Sequence, residues 1–159
     1  MHGSILLTAF HNTSAEMLIE DGPAYSTMIL PNDKVKDSEM LIAALQNESF
    51  AYVICIGQRP NIRNKVHIET TGRCGDVSVD TGFDCEHLAK AFQRNGVEAK
   101  LSRNAGRSFC NQLYYNVLRY LSENIQDTQI VFIHIPYRKN IDDFNGFRQC
   151  FWRAIKEGV

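Results

Sequence analysis

The chain has 159 residues, with 44% apolar and 22% charged side chains and a formal net charge of −1. This balance is typical of a globular protein, and the length predicts a single domain over residues 1–159 with one core. No run rich in Lys and Arg occurs, so neither nucleic acid nor an anionic membrane is an expected partner.

The N-terminal sequence does not resemble an export signal. The apolar run over residues 5–10 is too short to span a membrane and lacks a basic start, so we expect a cytoplasmic location. The five cysteines are irregularly spaced, without a C-x-x-C pair. This pattern predicts reduced thiols and no metal site.

Strands and helices alternate in the first half of the predicted structure. Apolar runs predict buried strands over residues 4–10, 26–30 and 52–56. Residues 11–25 are polar and predicted to be irregular, and a helix is predicted to begin at Asp37. Residues 65–70 alternate polar and apolar side chains, which predicts a strand with one exposed face.

The second half continues this alternation after a predicted loop over residues 72–82, which contains three glycines. Helices are predicted over residues 84–95, 110–124 and 144–156, and strands over residues 97–102 and 129–135. The order predicts an α/β fold, with three layers and a mixed, mainly parallel central sheet. Ligands of such sheets bind at the carboxyl ends of the strands.

Cys110 is the first candidate for chemistry. A turn of small and polar residues precedes it and places it in the first turn of a predicted helix. Helix N-termini favour negative charge, so we expect the thiol to be biased toward thiolate, the nucleophilic form. Backbone N–H groups of the same turn could stabilise an oxyanion. The alternative is a buried thiol that packs as a small apolar side chain.

His134 and Glu69 are candidate partners of this thiol. His134 lies within an apolar strand, where a histidine is costly to bury unless its ring nitrogens are paired. It is interpreted either as a general base for Cys110 or as a core histidine with satisfied nitrogens. Glu69, late in the strand over residues 65–70, could orient the imidazole; the alternative is a solvated carboxylate.

Several motifs of the chain resemble those of the pyroglutamyl peptidase I family of cysteine peptidases. The family's S-x-x-A-G-x-x-x-C-N pattern is similar to residues 102–111, and its F-I-H-V-P-Y pattern to residues 132–137. Its I-G-Q turn matches residues 56–58, its acidic strand is similar to residues 66–69, and its opening V-T-G-F is approximated by residues 7–10.

The resemblance implies a Cys-His-Glu triad on a phosphorylase/hydrolase-like α/β/α fold. Cys110 would be the nucleophile, His134 the base and Glu69 the acid that orients it. Phe10 would pack on the pyrrolidone ring, and Gln58 would lie at the substrate site. The implied activity is removal of N-terminal pyroglutamate from small peptides with a blocked N-terminus, without a cofactor, by an enzyme that can form homo-oligomers.

The chain departs from the family pattern at the predicted pocket. Family members carry P-F-G-G after the first strand, where this chain has residues 12–15, Asn-Thr-Ser-Ala. They carry R-V-A-x-N and an arginine loop after the acid, where Arg73 stands out of register. Arg107 replaces a small or hydroxyl residue beside the nucleophile. Its charge could lower the pKa of the thiol, bind a substrate carboxylate or be solvated. Two alternatives therefore remain: hydrolysis of another small amide or ester, or an inactive binding module.

Overall fold

The computed structural model describes residues 4–124 and 126–159. Its strands are β1 (Ile5–Phe10), β2 (Ser26–Leu30), β3 (Tyr52–Arg59), β4 (Lys65–Glu69), β5 (Thr71–Cys74), β6 (Val77–Asp80), β7 (Glu98–Ser102) and β8 (Gln129–Pro136). Its helices are α1 (Ser14–Glu20), α2 (Lys36–Asn47), α3 (Cys85–Arg94), α4 (Phe109–Glu123) and α5 (Phe144–Gly158).

Six strands form the central sheet in the order β2-β1-β3-β8-β4-β7. The first four of these run parallel to one another, whereas β4 is antiparallel to β8 and parallel to β7. The β-branched runs of β3 and β8 occupy the middle of the sheet, as expected for strands that are covered on both faces. The predicted mixed, mainly parallel sheet is confirmed.

Helices cover both faces of this sheet, so the predicted three layers are also confirmed. One core cluster joins α1, α3 and α5 to the sheet, and the other joins α2 and α4. Successive residues of β3 alternate between them, with Ile54 in the first and Cys55 in the second. This alternation directs Cys55 toward the face that α4 covers.

Two segments differ from the sequence-based predictions. Residues 11–25 are not wholly irregular, since α1 begins where the Thr13 side chain accepts a hydrogen bond from the Glu16 N–H. Residues 72–82 are not simply a loop, since β5 and β6 pair as an antiparallel hairpin. Gly75 at its turn has φ +58°, a conformation that glycine adopts without steric cost. Both elements are short, so their apolar residues form no long periodic pattern in the sequence.

The strand over residues 65–69 also differs from its prediction. Its alternating pattern predicts an exposed face, yet Glu69 is fully buried at the end of β4. The cause is its position between β8 and β7 inside the sheet, together with the hydrogen bond that the Tyr114 hydroxyl donates to the Glu69 carbonyl, 2.8 Å. Glu69 is therefore a buried carboxylate, and such groups need a cation or hydrogen-bond donors.

Candidate active site

A pocket of about 500 Å³ lies where β3 ends and α4 begins. Cys110 and His134 both line it, as do Gln58, Arg59 and Arg107. β3 and β8 are neighbours, and Gly57 pairs with His134 in their register. The sheet therefore brings the I-G-Q segment and His134 to one site. This site lies at the end of the parallel strands, where ligands are expected.

Cys110 is the second residue of α4 and is 9% exposed. The turn before it depends on Gly106, which has φ +92° and donates its N–H to the Asn104 side chain, 3.0 Å. Ser108 is the N-cap residue, but its hydroxyl makes no capping hydrogen bond. Because the Ser108 hydroxyl does not cap them, the first backbone N–H groups of α4 remain available to donate to an oxyanion.

Burial opposes the expected bias of Cys110 toward thiolate. Burial raises the pKa of its thiol to about 12, and the nearby Glu69 and Asp37 charges act in the same direction. Desolvation penalises the charged form more strongly here than a helix N-terminus stabilises it. This direction favours the neutral thiol near pH 7, and a neutral thiol needs a base to activate it.

This protonation state can be tested by alkylation. We expect the iodoacetamide reaction of Cys110, followed on its own peptide by mass spectrometry, to accelerate roughly tenfold per pH unit between about pH 7 and 9. Exposed Cys74 is the internal control in the same sample. A rate for Cys110 that stays level across this range would reveal a resting thiolate and contradict the expectation.

His134 and Glu69 form a buried pair. The His134 Nδ1 atom lies 2.9 Å from Glu69 Oε1, and the two side chains are 3% and 0% exposed. A carboxylate at Nδ1 holds the imidazole in the tautomer and orientation in which Nε2 can accept a proton. Glu69 is thus positioned to do what a triad acid does.

Arg59 also contacts the acid, although sequence reasoning did not identify it. Its Nη1 atom donates to Glu69 Oε1 at 2.9 Å and lies 3.4 Å from His67 Nδ1. The strand of residues 52–56 was predicted to end before Gln58, whereas β3 continues through Arg59. The available signal was a cation directly after the I-G-Q turn, at the carboxyl end of a central strand.

Gln58 and Phe10 occupy different surroundings. Gln58 lines the pocket, and its Oε1 atom accepts a hydrogen bond from the Ser14 backbone N–H, 3.0 Å. Phe10 is buried against Phe109, with ring centroids 6.0 Å apart, and is not among the described residues that line the pocket. The structure brings Gln58 to the site and packs Phe10 against Phe109.

Arg107 and Arg73, the two arginines that depart from the family pattern, lie in different places. Arg107 is exposed and lines the pocket beside Cys110. Arg73 lies on β5, where its Nε atom donates to the Arg103 carbonyl at 3.2 Å, and it does not line the pocket. Of Arg107 and Arg73, only Arg107 is placed to meet a substrate in this pocket.

Over residues 4–124 and 126–159, no group of three His, Cys, Asp or Glu side chains could hold a metal ion. In the same part of the chain, no helix is long and apolar enough to cross a membrane.

Gly57 offers a test of how closely the site is packed. A Cβ atom there would lie 2.7 Å from Cys110 Sγ and 2.8 Å from Phe132 Cε1. We expect Gly57→Ala to displace the thiol, to lower the free energy of unfolding by about 1–3 kcal/mol and to reduce turnover. Gly82→Ala is the control, because its Cβ would meet only the Gln129 side chain, at 3.3 Å or more. Equal effects of both changes on thermal midpoint and turnover would refute the packing argument.

Comparison with known proteins shows which proteins this chain is similar to. A family described as pyroglutamyl peptidase matches residues 74–146, which include Cys110 and His134. The chain is 27% identical over 139 residues to the pyrrolidone-carboxylate peptidase of Alkaliphilus oremlandii, covering 74% of this chain and 65% of that protein. It is 27% identical over 130 residues to that of Brevibacillus brevis, covering 68% and 60%. The chain thus spans less than two thirds of the length of these curated relatives.

The fold agrees with these matches. The crystal structure of pyroglutamyl peptidase I from Bacillus amyloliquefaciens superposes with a TM-score of 0.85, at 19% identity, covering 100% of this chain and 96% of that one. At this identity the superposition shows the fold alone. With the family match and the curated relatives, it makes the chain similar in sequence and fold to the pyroglutamyl peptidases.

Proposed function

We propose that the protein is a cysteine peptidase that removes N-terminal pyroglutamate from peptides through Cys110, His134 and Glu69. The observation that carries the proposal is the buried Glu69–His134 pair, 2.9 Å apart, at a pocket that His134 shares with Cys110. A cytoplasmic location belongs to the same proposal. It is supported by the five cysteines, which are all free, as in a reducing compartment.

The raised pKa of the Cys110 thiol favours a general-base mechanism over a resting ion pair. His134 Nε2 takes the proton as Cys110 Sγ attacks the pyroglutamyl carbonyl, and Glu69 stabilises the imidazolium. N–H groups at the start of α4 hold the oxyanion. The C–N bond then breaks, and His134 returns its proton to the leaving amine. Water, activated by His134, hydrolyses the thioester and releases pyroglutamic acid.

Gln58 supplies a polar contact for the pyrrolidone ring. Its Oε1 atom accepts from Ser14, so both N–H donors of its Nε2 amide group remain for a ring carbonyl. A site built to hydrogen-bond a substrate group rejects analogues that lack the group. This contact therefore favours pyroglutamate over proline, which has the ring without the carbonyl.

A second candidate is hydrolysis of another small amide or ester by the same triad. Two observations favour it: Phe10 does not line the pocket, and α1 begins at residues 14–15, within the segment where the resemblance implies P-F-G-G. An inactive binding module is the third candidate, which turnover of any substrate would eliminate.

A substrate panel separates these candidates. We expect the pyroglutamyl amide of aminomethylcoumarin to be cleaved with a kcat/KM at least about tenfold above that of the prolyl amide, because only the former can use the Gln58 donors. The Gln58→Glu variant should lose this preference, and Gln46→Glu, at an exposed position of α2, is the matched control. Cleavage of an acyl ester but of no pyroglutamyl amide would favour the second candidate.

A further inference from the structure

We propose that Arg59 is a positioning residue of the catalytic centre, which directs Glu69 to His134 rather than to His67. The inference rests on the proposed hydrolytic function and names a member of the site that the triad does not include. It follows from the arrangement of one carboxylate, one guanidinium and two imidazoles at the carboxyl end of β3.

Two histidines flank the same carboxylate. His67 and His134 are directly opposite each other in the antiparallel pair of β4 and β8. Glu69 follows His67 by two residues on β4, so both side chains point to the same face of the sheet. A carboxylate in this position can serve either imidazole, but only His134 lies on the strand beside Gly57, against which the Cys110 sulfur packs.

Arg59 reaches Glu69 and His67 from the other side of β8. β3 and β4 are separated by β8, a span of about 9–10 Å that a long side chain can cross. One nitrogen, Nη1, makes both contacts, at 2.9 Å to Glu69 Oε1 and 3.4 Å to His67 Nδ1. The guanidinium is 24% exposed and therefore only partly screened by solvent.

The chemistry of a guanidinium decides the state of His67. An arginine can only donate hydrogen bonds, so the Nδ1 atom that faces Arg59 must be the acceptor, and the proton of a neutral His67 lies on Nε2. Burial lowers the pKa of His67, and so do the charges of Arg59, Lys65 and Lys100, against the opposing effect of Glu69. Neutral His67 with an occupied Nδ1 does not compete for Glu69.

In the described part of the chain, the hydrogen bonds that hold the Glu69 carboxylate all involve one of its oxygens, Oε1. Oε1 accepts from both Arg59 and His134, whereas Oε2 has no hydrogen-bond partner among the described residues. A fully buried carboxylate would be costly without a cation. Arg59 therefore both balances the charge of Glu69 and fixes the oxygen that orients His134.

Kinetics of Arg59→Met test this role. We expect kcat on the pyroglutamyl coumarin amide to fall about 10–100-fold with KM within about twofold, because a misplaced base slows the reaction without weakening binding. Arg59→Lys, which keeps the charge, should recover part of the loss. Arg63→Met is the matched control: Arg63 is 59% exposed and pairs with Asp142 at the surface. A raised KM with unchanged kcat would make Arg59 a substrate-binding residue and overturn the proposal.

A double-mutant cycle tests whether Arg59 acts through Glu69. In the Glu69→Gln background we expect Arg59→Met to cost less than about twofold further, since the residue through which it acts has lost its charge. A loss as large as in the wild-type background would overturn the proposal, because Arg59 would then act elsewhere.

NMR spectra of the His67 imidazole test the role of Arg59 without depending on catalytic turnover. In ¹⁵N-edited imidazole spectra near pH 7 we expect His67 as a neutral Nε2–H tautomer in the wild-type protein, and a change of tautomer or charge state in Arg59→Met. Unchanged His67 signals in the variant would overturn the proposal. A protein that hydrolyses no pyroglutamyl amide, yet shows this change, would refute the proposed function and leave the assignment of Arg59 intact.

Discussion

We expect the Cys110→Ala variant to lose hydrolysis of the pyroglutamyl coumarin amide by at least about 10⁴-fold while retaining its fold. The loss is large because the other triad members act on the thiol and have no nucleophile without it. The fold should survive because the change removes one sulfur at the 9% exposed start of α4, without introducing a buried polar group. Thermal unfolding followed by circular dichroism measures whether the fold is retained. A coumarin assay at matched protein concentration measures the loss of hydrolysis.

Cys74→Ser is the control for the loss of a thiol, since Cys74 is a free, exposed cysteine on β5. It should leave both turnover and thermal midpoint unchanged. Residual turnover of Cys110→Ala within tenfold of the wild type would exclude Cys110 as the nucleophile.

The Glu69→Gln variant should have the second largest effect, a fall in kcat of about 10²–10⁴-fold. Glutamine keeps the volume of the side chain, but it cannot balance the imidazolium that forms on His134. Its amide can also donate to Nδ1 and so favour the wrong tautomer. Arg59 would lose its buried anion as well, so a modest fall in thermal midpoint is expected.

Glu98→Gln is the matched control, because Glu98 is exposed on β7, the neighbour of β4. It removes one carboxylate charge from the same part of the sheet and should leave kcat unchanged. The Glu69 assignment fails if Glu69→Gln retains wild-type kcat, or if its loss of activity is fully explained by unfolding at the assay temperature.

The strands and helices of the layered sheet could be predicted from the sequence wherever their apolar periodicity is strong. The β-branched runs of β3 and β8 and the apolar stripe of α4 predicted their elements to within a few residues. α1 and the β5–β6 hairpin were missed because they are too short to show a clear apolar period. α1 begins at the local Thr13 cap, whereas the hairpin packs through the approach of Gly72 to the Tyr115 backbone, a contact between residues far apart in the chain.

The order and spacing of the cysteine, histidine and acidic motifs are properties of the chain itself, and they were sufficient to predict the family and to nominate Cys110, His134 and Glu69. Burial is not such a property. The packing around Cys110 raises the pKa of its thiol against the effect expected from the helix N-terminus, and the sheet order makes Glu69 a buried carboxylate. The role inferred for Arg59 has the same origin, because its guanidinium meets Glu69 only after β3, β8 and β4 have assembled side by side.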